Sequence, residues 1–247
     1  MFLTNKNALI TGADGGIGKA TLETFVREGA NVWAFCKCKT SNFTDECKKL
    51  EEQYGVWIKP IYADLTNNDE IKQAFKLLMA DKQPLHILVN NAGAMGEDRV
   101  FQMTSFEEMQ NIFQINFFSM VEVSRLATRL MARNKTGAVV NIASIAGLDG
   151  DSRLDYSAAK GAVITATKKM ARELVSLGIR VNAIAPGMTN TNLVASLSEN
   201  IINKQLENVL MNRMGKPTEI AEVIAFLASD KASYVTGQVW RVDGGIL

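Results

Sequence analysis

Tyr156 and Lys160 stand four positions apart at the end of the stretch SIAGLDGDSRLDYSAAK, residues 144–160. On a helix that spacing puts a phenol and an ammonium on one face, one turn apart. A cation beside a phenol favours the phenolate, so the tyrosine is expected to exchange its proton nearer neutral pH than its ordinary value of about 10. Ala159, Val163, Ala166, Met170 and Leu174 follow at steps of three and four, as the buried stripe of a helix does. Ser144 precedes the pair at the end of an apolar run, 138–143, and its hydroxyl can donate to a carbonyl oxygen without changing charge. A Tyr/Lys pair alone is no more than an exposed helix often carries. Its weight comes from the elements that surround it.

Short runs rich in Val and Ile are expected as strands at 6–10, 31–36, 56–62, 86–89, 138–143, 179–184 and 238–242. Helical patterns fall between them at 17–28, 68–80, 105–133, 156–177 and 218–229, the third with Phe106, Met109, Phe113 and Met120 on its inner side. Strands alternating with helices mean crossover connections and a parallel sheet of about seven strands, covered by helices on both faces. No repeat, low-complexity segment or linker divides the chain, so 1–247 reads as one domain.

Between the first strand and first helix lies TGADGGIG, residues 11–18, with Gly12, Gly16 and Gly18 spaced G-x-x-x-G-x-G. Such a turn lets backbone approach a pyrophosphate, whose charge then sits at the helix N-terminus. The second strand ends AFCKCK, without the carboxylate that would bind the ribose 2′-hydroxyl of NAD. Lys37 stands where a 2′-phosphate would lie, which favours NADP(H).

The charge balance is 27 basic against 26 acidic residues, and nothing in it suggests nucleic acid or a membrane surface. No apolar run is long enough for a membrane span, and the chain enters a strand too early to leave room for a signal peptide. Cys36, Cys38 and Cys47 are odd in number and lack metal-ligand spacing, which points to a cytoplasmic protein with free thiols and no metal.

Taken together the pieces resemble the short-chain dehydrogenase/reductase family in its single-domain form. The matches run in order: TGADGGIG, Asp64, NNAG at 90–93, Asn116, Ser144, Tyr156-x-x-x-Lys160, Pro186-Gly187 with Thr191, and the tail 218–245. The tail and NVLMNRMGKP, 208–217, look most like 3-oxoacyl-[acyl-carrier-protein] reductases. The resemblance implies a Rossmann-like doubly wound α/β fold, NADP(H) as cofactor and a substrate lid around 188–214. It implies that Tyr156 protonates the carbonyl oxygen as hydride arrives. Lys160 would lower the tyrosine and bind the nicotinamide ribose, Ser144 would orient the carbonyl, and Asn116 would hold a water leading from Lys160 to solvent. Cofactor contacts would come from Gly12, Asp14, Gly16, Ile17, Gly18, Lys37, Asp64, Asn90, Gly93, Tyr156, Lys160, Pro186, Met188 and Thr191. A homotetramer and an acyl-thioester substrate, carried by an acyl carrier protein, would follow by analogy.

Some residues depart from that pattern. Ser144 and Tyr156 are 12 apart, one fewer than is usual in the family, which shortens the loop over the substrate. Asp149, Asp151 and Asp155 make that loop acidic, an awkward rim for an acidic carrier protein. Leu177 replaces an expected basic residue, for which Arg133, Lys135 and Arg153 are the substitutes. Two rival readings follow: the same chemistry on a small polar ketone, sugar or polyol, and a non-catalytic cofactor-binding protein. An enoyl reductase is disfavoured because that branch spaces its Tyr and Lys more widely. His86, the only histidine, is expected to open the fourth strand without a catalytic role, and the tryptophans and the methionines of 188–214 to serve core and lid packing.

Overall fold

The computed structural model describes residues 1–97, 99–191, 194, 202 and 205–246, so much of the lid expected at 188–214 lies outside the described residues. Seven parallel strands form one sheet in the order β3-β2-β1-β4-β5-β6-β7. They are β1 (Asn7–Thr11), β2 (Asn31–Cys36), β3 (Ile58–Tyr62), β4 (Ile87–Asn90), β5 (Gly137–Ile142), β6 (Ile179–Pro186) and β7 (Val239–Val242). The order runs outward from β1 in one direction and from β4 in the other, which is the doubly wound arrangement.

Alternate strand residues feed two cores. On one face Ile10, Val32 and Val140 pack with α1 (Gly16–Arg27), α2 (Ser41–Tyr54) and the last helix, α8 (Pro217–Ala228). On the other, Leu9, Trp33, Leu88 and Val139 pack with α3 (Asn68–Ala80), α5 (Ser119–Asn134) and α7 (Leu154–Leu174). Burial on both faces explains why the strands read as continuous apolar runs rather than alternating ones. Trp33 is fully buried and donates its indole N–H to Asp81 at 2.7 Å.

Two differences from the sequence-based expectation have physical causes. Helix α2 was not expected at all. Only Phe43 and Cys47 of its 14 residues are buried, too few for a clear period, and it is held at its ends by the Thr40 side chain and by Gly55 at φ 67°. The helix expected at 105–133 is α4 (Phe106–Phe113) and α5 joined by a π turn, Gln114–Phe118. The wider turn shifts the buried stripe between its two halves, so Phe106 is 74% exposed rather than inward. Met211, in the stretch expected to pack a lid, is also exposed. His86 accepts the Asn7 N–H on Nδ1 at 2.9 Å and ties β4 to β1.

Candidate active site

At the carboxyl ends of β1, β4, β5 and β6 lies a cavity of about 400 Å³. It sits where the strand order reverses, the usual ligand crevice of an open α/β sheet. One end is walled by Gly12, Asp14, Gly16 and Ile17, with Lys37 and Asp64 beyond; the other by Ser144, Tyr156, Lys160 and Asn116.

The cradle at the first end fits a dinucleotide. Gly12 and Gly16 hold φ of 64° and 49°, conformations a side chain resists. Gly18 lies under the turn: a Cβ there would meet the Gly12 carbonyl oxygen at 2.0 Å and Asn91 Nδ2 at 2.4 Å. The missing side chain lets helix α1 approach β1. Helix α1 has no acidic residue in its first turn, so Asp14, two residues before it, is the carboxylate nearest its N-terminus on the cavity wall.

Lys37 Nζ lies 3.0 Å from Asp64 Oδ2. The Thr66 hydroxyl and N–H, then Lys37, hold the Asp64 carboxyl down to about 2. A 2′-phosphate would therefore meet a lysine already paired with a carboxylate. Three family-implied contacts are absent from the cavity wall: Gly18, which lies under the turn, Asn90 and Met188. The Asn90 side chain points away from it, donating to Ser124 and Asn141 at 2.8 Å each, and Asn91 lines the cavity instead. Met188 is replaced there by its neighbours Gly187 and Thr189, with Pro186 and Thr191 where they were expected. Asn91 was legible as part of NNAG, but only the fold shows which of the two asparagines faces in.

At the chemical end the groups converge. Lys160 is buried and donates to the Ile142 carbonyl at 2.8 Å, and burial lowers its pKa to about 8. Its Nζ is 5.8 Å from the centre of the Tyr156 ring. The expected lowering of the tyrosine is not what this environment produces: burial pushes the phenol up, and only the Ser144 hydroxyl pulls the other way. The reason is that the desolvated ring penalises the phenolate more than a cation turned toward Ile142 favours it. Tyr156 is thus held as a phenol, the form a proton donor needs. Ser144 Oγ accepts the Ala146 N–H at 3.2 Å, which aims its own hydrogen elsewhere.

Asn116 sits in the π turn, and the turn explains its position. Its Nδ2 donates to the carbonyls of Ala94 at 2.7 Å and Ile112 at 2.9 Å, and its Oδ1 accepts the Ala94 N–H at 3.3 Å. A Cβ on Gly93 would lie 2.7 Å from that Oδ1 and 3.4 Å from Lys160 Nζ, so a glycine is required between them.

The acidic rim is largely neutralised. Asp149 pairs with Arg241 at 3.2 Å, and Asp155 is buried against Arg153. Arg153 is therefore no surface cation to stand in for a basic residue at 177, whereas Arg133 and Lys135 are exposed. No group of three potential metal ligands occurs among the described residues.

These features agree with the comparisons to known proteins. A family model described as enoyl-(acyl carrier protein) reductase matches residues 12–247. The 3-oxoacyl-[acyl-carrier-protein] reductase FabG of Thermotoga maritima is 37% identical over 248 residues, covering 100% of both chains. That of Chlamydia trachomatis is 36% identical over 247 residues, 99% of this chain and 98% of the relative. A 3-oxoacyl-[acyl-carrier protein] reductase from Brucella melitensis, solved with bound NAD, superposes with a TM-score of 0.91 at 29% identity, covering 99% of this chain and 92% of that one. The chain belongs to the short-chain dehydrogenase/reductase family, oxidoreductases that interconvert carbonyl and hydroxyl groups.

Proposed function

We propose that this protein reduces 3-oxoacyl thioesters to 3-hydroxyacyl thioesters, with NADPH as the hydride donor. The observation that carries the reading is one cavity that joins a dinucleotide cradle to half-buried Ser144 and buried Tyr156 and Lys160. The nicotinamide cofactor, when bound, supplies the hydride. The chain's own residues do the rest. Ser144 donates to the substrate carbonyl and fixes its direction, Tyr156 gives its phenolic proton to the carbonyl oxygen, and Lys160 beneath it returns a proton to the tyrosine, with Asn116 placed to hold a water that links Lys160 to solvent. A positioned acid of this kind contributes about 10²- to 10⁴-fold.

The phenol and ammonium one helical turn apart, with Ser144 against them, favour a carbonyl over an enoyl substrate. NADPH is favoured by Lys37 at the end of β2 and by the absence of a carboxylate on that strand; the bound NAD in the Brucella relative and the Lys37–Asp64 pair are the observations that make this worth measuring. An acyl carrier protein would find exposed cations at Arg129, Arg133 and Lys135, beside a rim whose Asp149 is already paired. Exposed apolar side chains at Phe118 of the π turn, Val121 of α5 and Leu154 of α7 suit a homotetramer. Three free thiols, two of them buried, suit a reducing, cytoplasmic setting, and the chain works as a single catalytic domain.

The test is initial rates of NADPH and NADH oxidation with acetoacetyl thioesters beside a panel of small ketones and sugars. Thioester turnover with NADPH preference supports the reading. Turnover of small polar carbonyls alone replaces the substrate, and tight cofactor binding without any turnover replaces the activity.

A further inference from the structure

Directly before Tyr156 in the chain lies a charge pair that the reaction as described above does not use. Arg153 donates through Nε to Asp155 Oδ1 at 3.0 Å and through Nη2 to Oδ2 at 2.8 Å. The two side chains are 3% and 1% exposed. A bidentate pair taken this far out of water is costly to bury and seldom a net source of stability, so its presence asks for another reason.

The geometry offers one. Asp155 Oδ1 also accepts the Tyr156 backbone N–H at 2.9 Å, so one carboxylate oxygen joins the guanidinium to the catalytic residue. Burial pushes the Asp155 carboxyl up, but Arg153 and that N–H outweigh it and keep it ionised. Helix α7 starts with no side-chain cap: its N-cap residue is Arg153 itself, whose carbonyl accepts the Ser157 N–H at 2.9 Å. The guanidinium also packs against the loop after β4. Gly96, at φ 78°, packs so closely that a Cβ there would meet Arg153 Nη1 at 3.1 Å. Gly96 follows the Gly93–Ala94 segment that holds Asn116. The pair thus ties the first turn of α7 to the loop after β4.

We propose that Arg153 and Asp155 are positioning residues, which set where the Tyr156 phenol stands relative to Ser144 and the 93–96 loop. The segment from Ser144 to Tyr156 is short, and a short connection leaves the helix start under less control from its own turn residues. A fixed ion pair supplies that control. This inference rests on the proposed carbonyl reduction through Tyr156. The two fail separately, because wild-type turnover tests the reaction and the variants test the pair.

The experiment compares wild type with Asp155→Asn, Arg153→Gln and the double variant, using NADPH and the best carbonyl substrate of the panel. Asparagine keeps an acceptor for the Tyr156 N–H and removes the charge. Expected for Asp155→Asn is a fall in kcat of about 10- to 100-fold, the scale on which a misplacement near 1 Å acts. The KM and the NADPH Kd, read by fluorescence titration, should stay within about twofold, since uniform binding is untouched. The isotope effect with 4-deuterated NADPH should rise as the chemical step slows. If a single variant leaves a buried charge that prevents folding, the double variant carries none and is the one assayed. Expected there is the same loss of kcat with NADPH binding intact. A double or single variant with unchanged kcat and only a lower melting temperature overturns the proposal. So does a parallel loss of kcat and NADPH affinity, which would mean that the pair holds the whole cavity and not the tyrosine.

Discussion

Lys160 Nζ donates to the Ile142 carbonyl at 2.8 Å while standing 5.8 Å from the centre of the Tyr156 ring. The cation is thus anchored to the sheet, beneath the phenol rather than bonded to it, and β5 rather than the helix alone sets its height. In this arrangement the phenol keeps its proton and the buried ammonium is the group that titrates first, at about 8.

Tyr156→Phe removes the donor and little volume. Turnover should fall by about 10²- to 10⁴-fold, while cofactor affinity, measured by fluorescence titration, stays near wild type. Undiminished turnover with any carbonyl substrate would show that the proton comes from elsewhere.

The Lys160 shift also predicts a pH dependence of stability. Its folded value, about 8, lies below the ordinary 10.5, so the folded protein releases this proton before the unfolded chain does. The cost of burying the charge is fully present below about 8 and disappears as pH rises toward 10.5. Lys160 should contribute a climb across that window, on the order of 3 kcal/mol at about 1.4 kcal/mol per unit. Cys36 and Cys47, raised by burial above their ordinary 9.0, and Tyr156, raised above 10.0, act oppositely once pH passes those values. Urea melts from pH 7 to 9 should show the rise in wild type and lose it in Lys160→Met.

Gly18→Ala places a methyl group 2.0 Å from the Gly12 carbonyl oxygen, backbone that cannot swing away. The expected cost is at the upper end of overpacking, about 3 kcal/mol or more, together with loss of cofactor binding. Thermal melting and NADPH titration check both parts, and a variant that binds normally would mean that α1 can retreat from β1.

Lys37→Ala should weaken NADPH binding about tenfold and spare NADH, since only the 2′-phosphate distinguishes them. The salt dependence of NADPH affinity should flatten in the same variant. An equal loss for both cofactors would make Lys37 a partner of Asp64 and nothing more.

Phe118→Glu with Val121→Glu puts charge on exposed apolar positions of the π turn and α5. If that face joins subunits, light scattering should show a smaller species than wild type. An unchanged mass would assign the contact to another surface.

Much of this molecule was readable from local residue pattern. The alternation of strands and helices, the glycine turn between β1 and α1, and the Tyr156–Lys160 step along one helix face depend on neighbours within a few positions. Those features alone establish the doubly wound sheet and put phenol and ammonium together. Helix α2 escaped because so little of it is buried, and the π turn escaped because hydrophobic period counts assume a uniform helix.

Tertiary structure decided what distance in sequence conceals. It turns Asn91 rather than Asn90 into the cavity, brings Asn116 to Ala94 and Gly93, and sets the Ser144 hydroxyl against the phenol. It pairs Asp149 with Arg241, 92 positions away, so that a loop acidic in sequence is far less so in charge. It also reverses the expected direction for Tyr156, because burial, a property of the packed whole, outweighs the one charge that spacing reveals. Spacing along a chain determines which groups can share a face; only packing determines how far water is excluded from them, and that sets their charge.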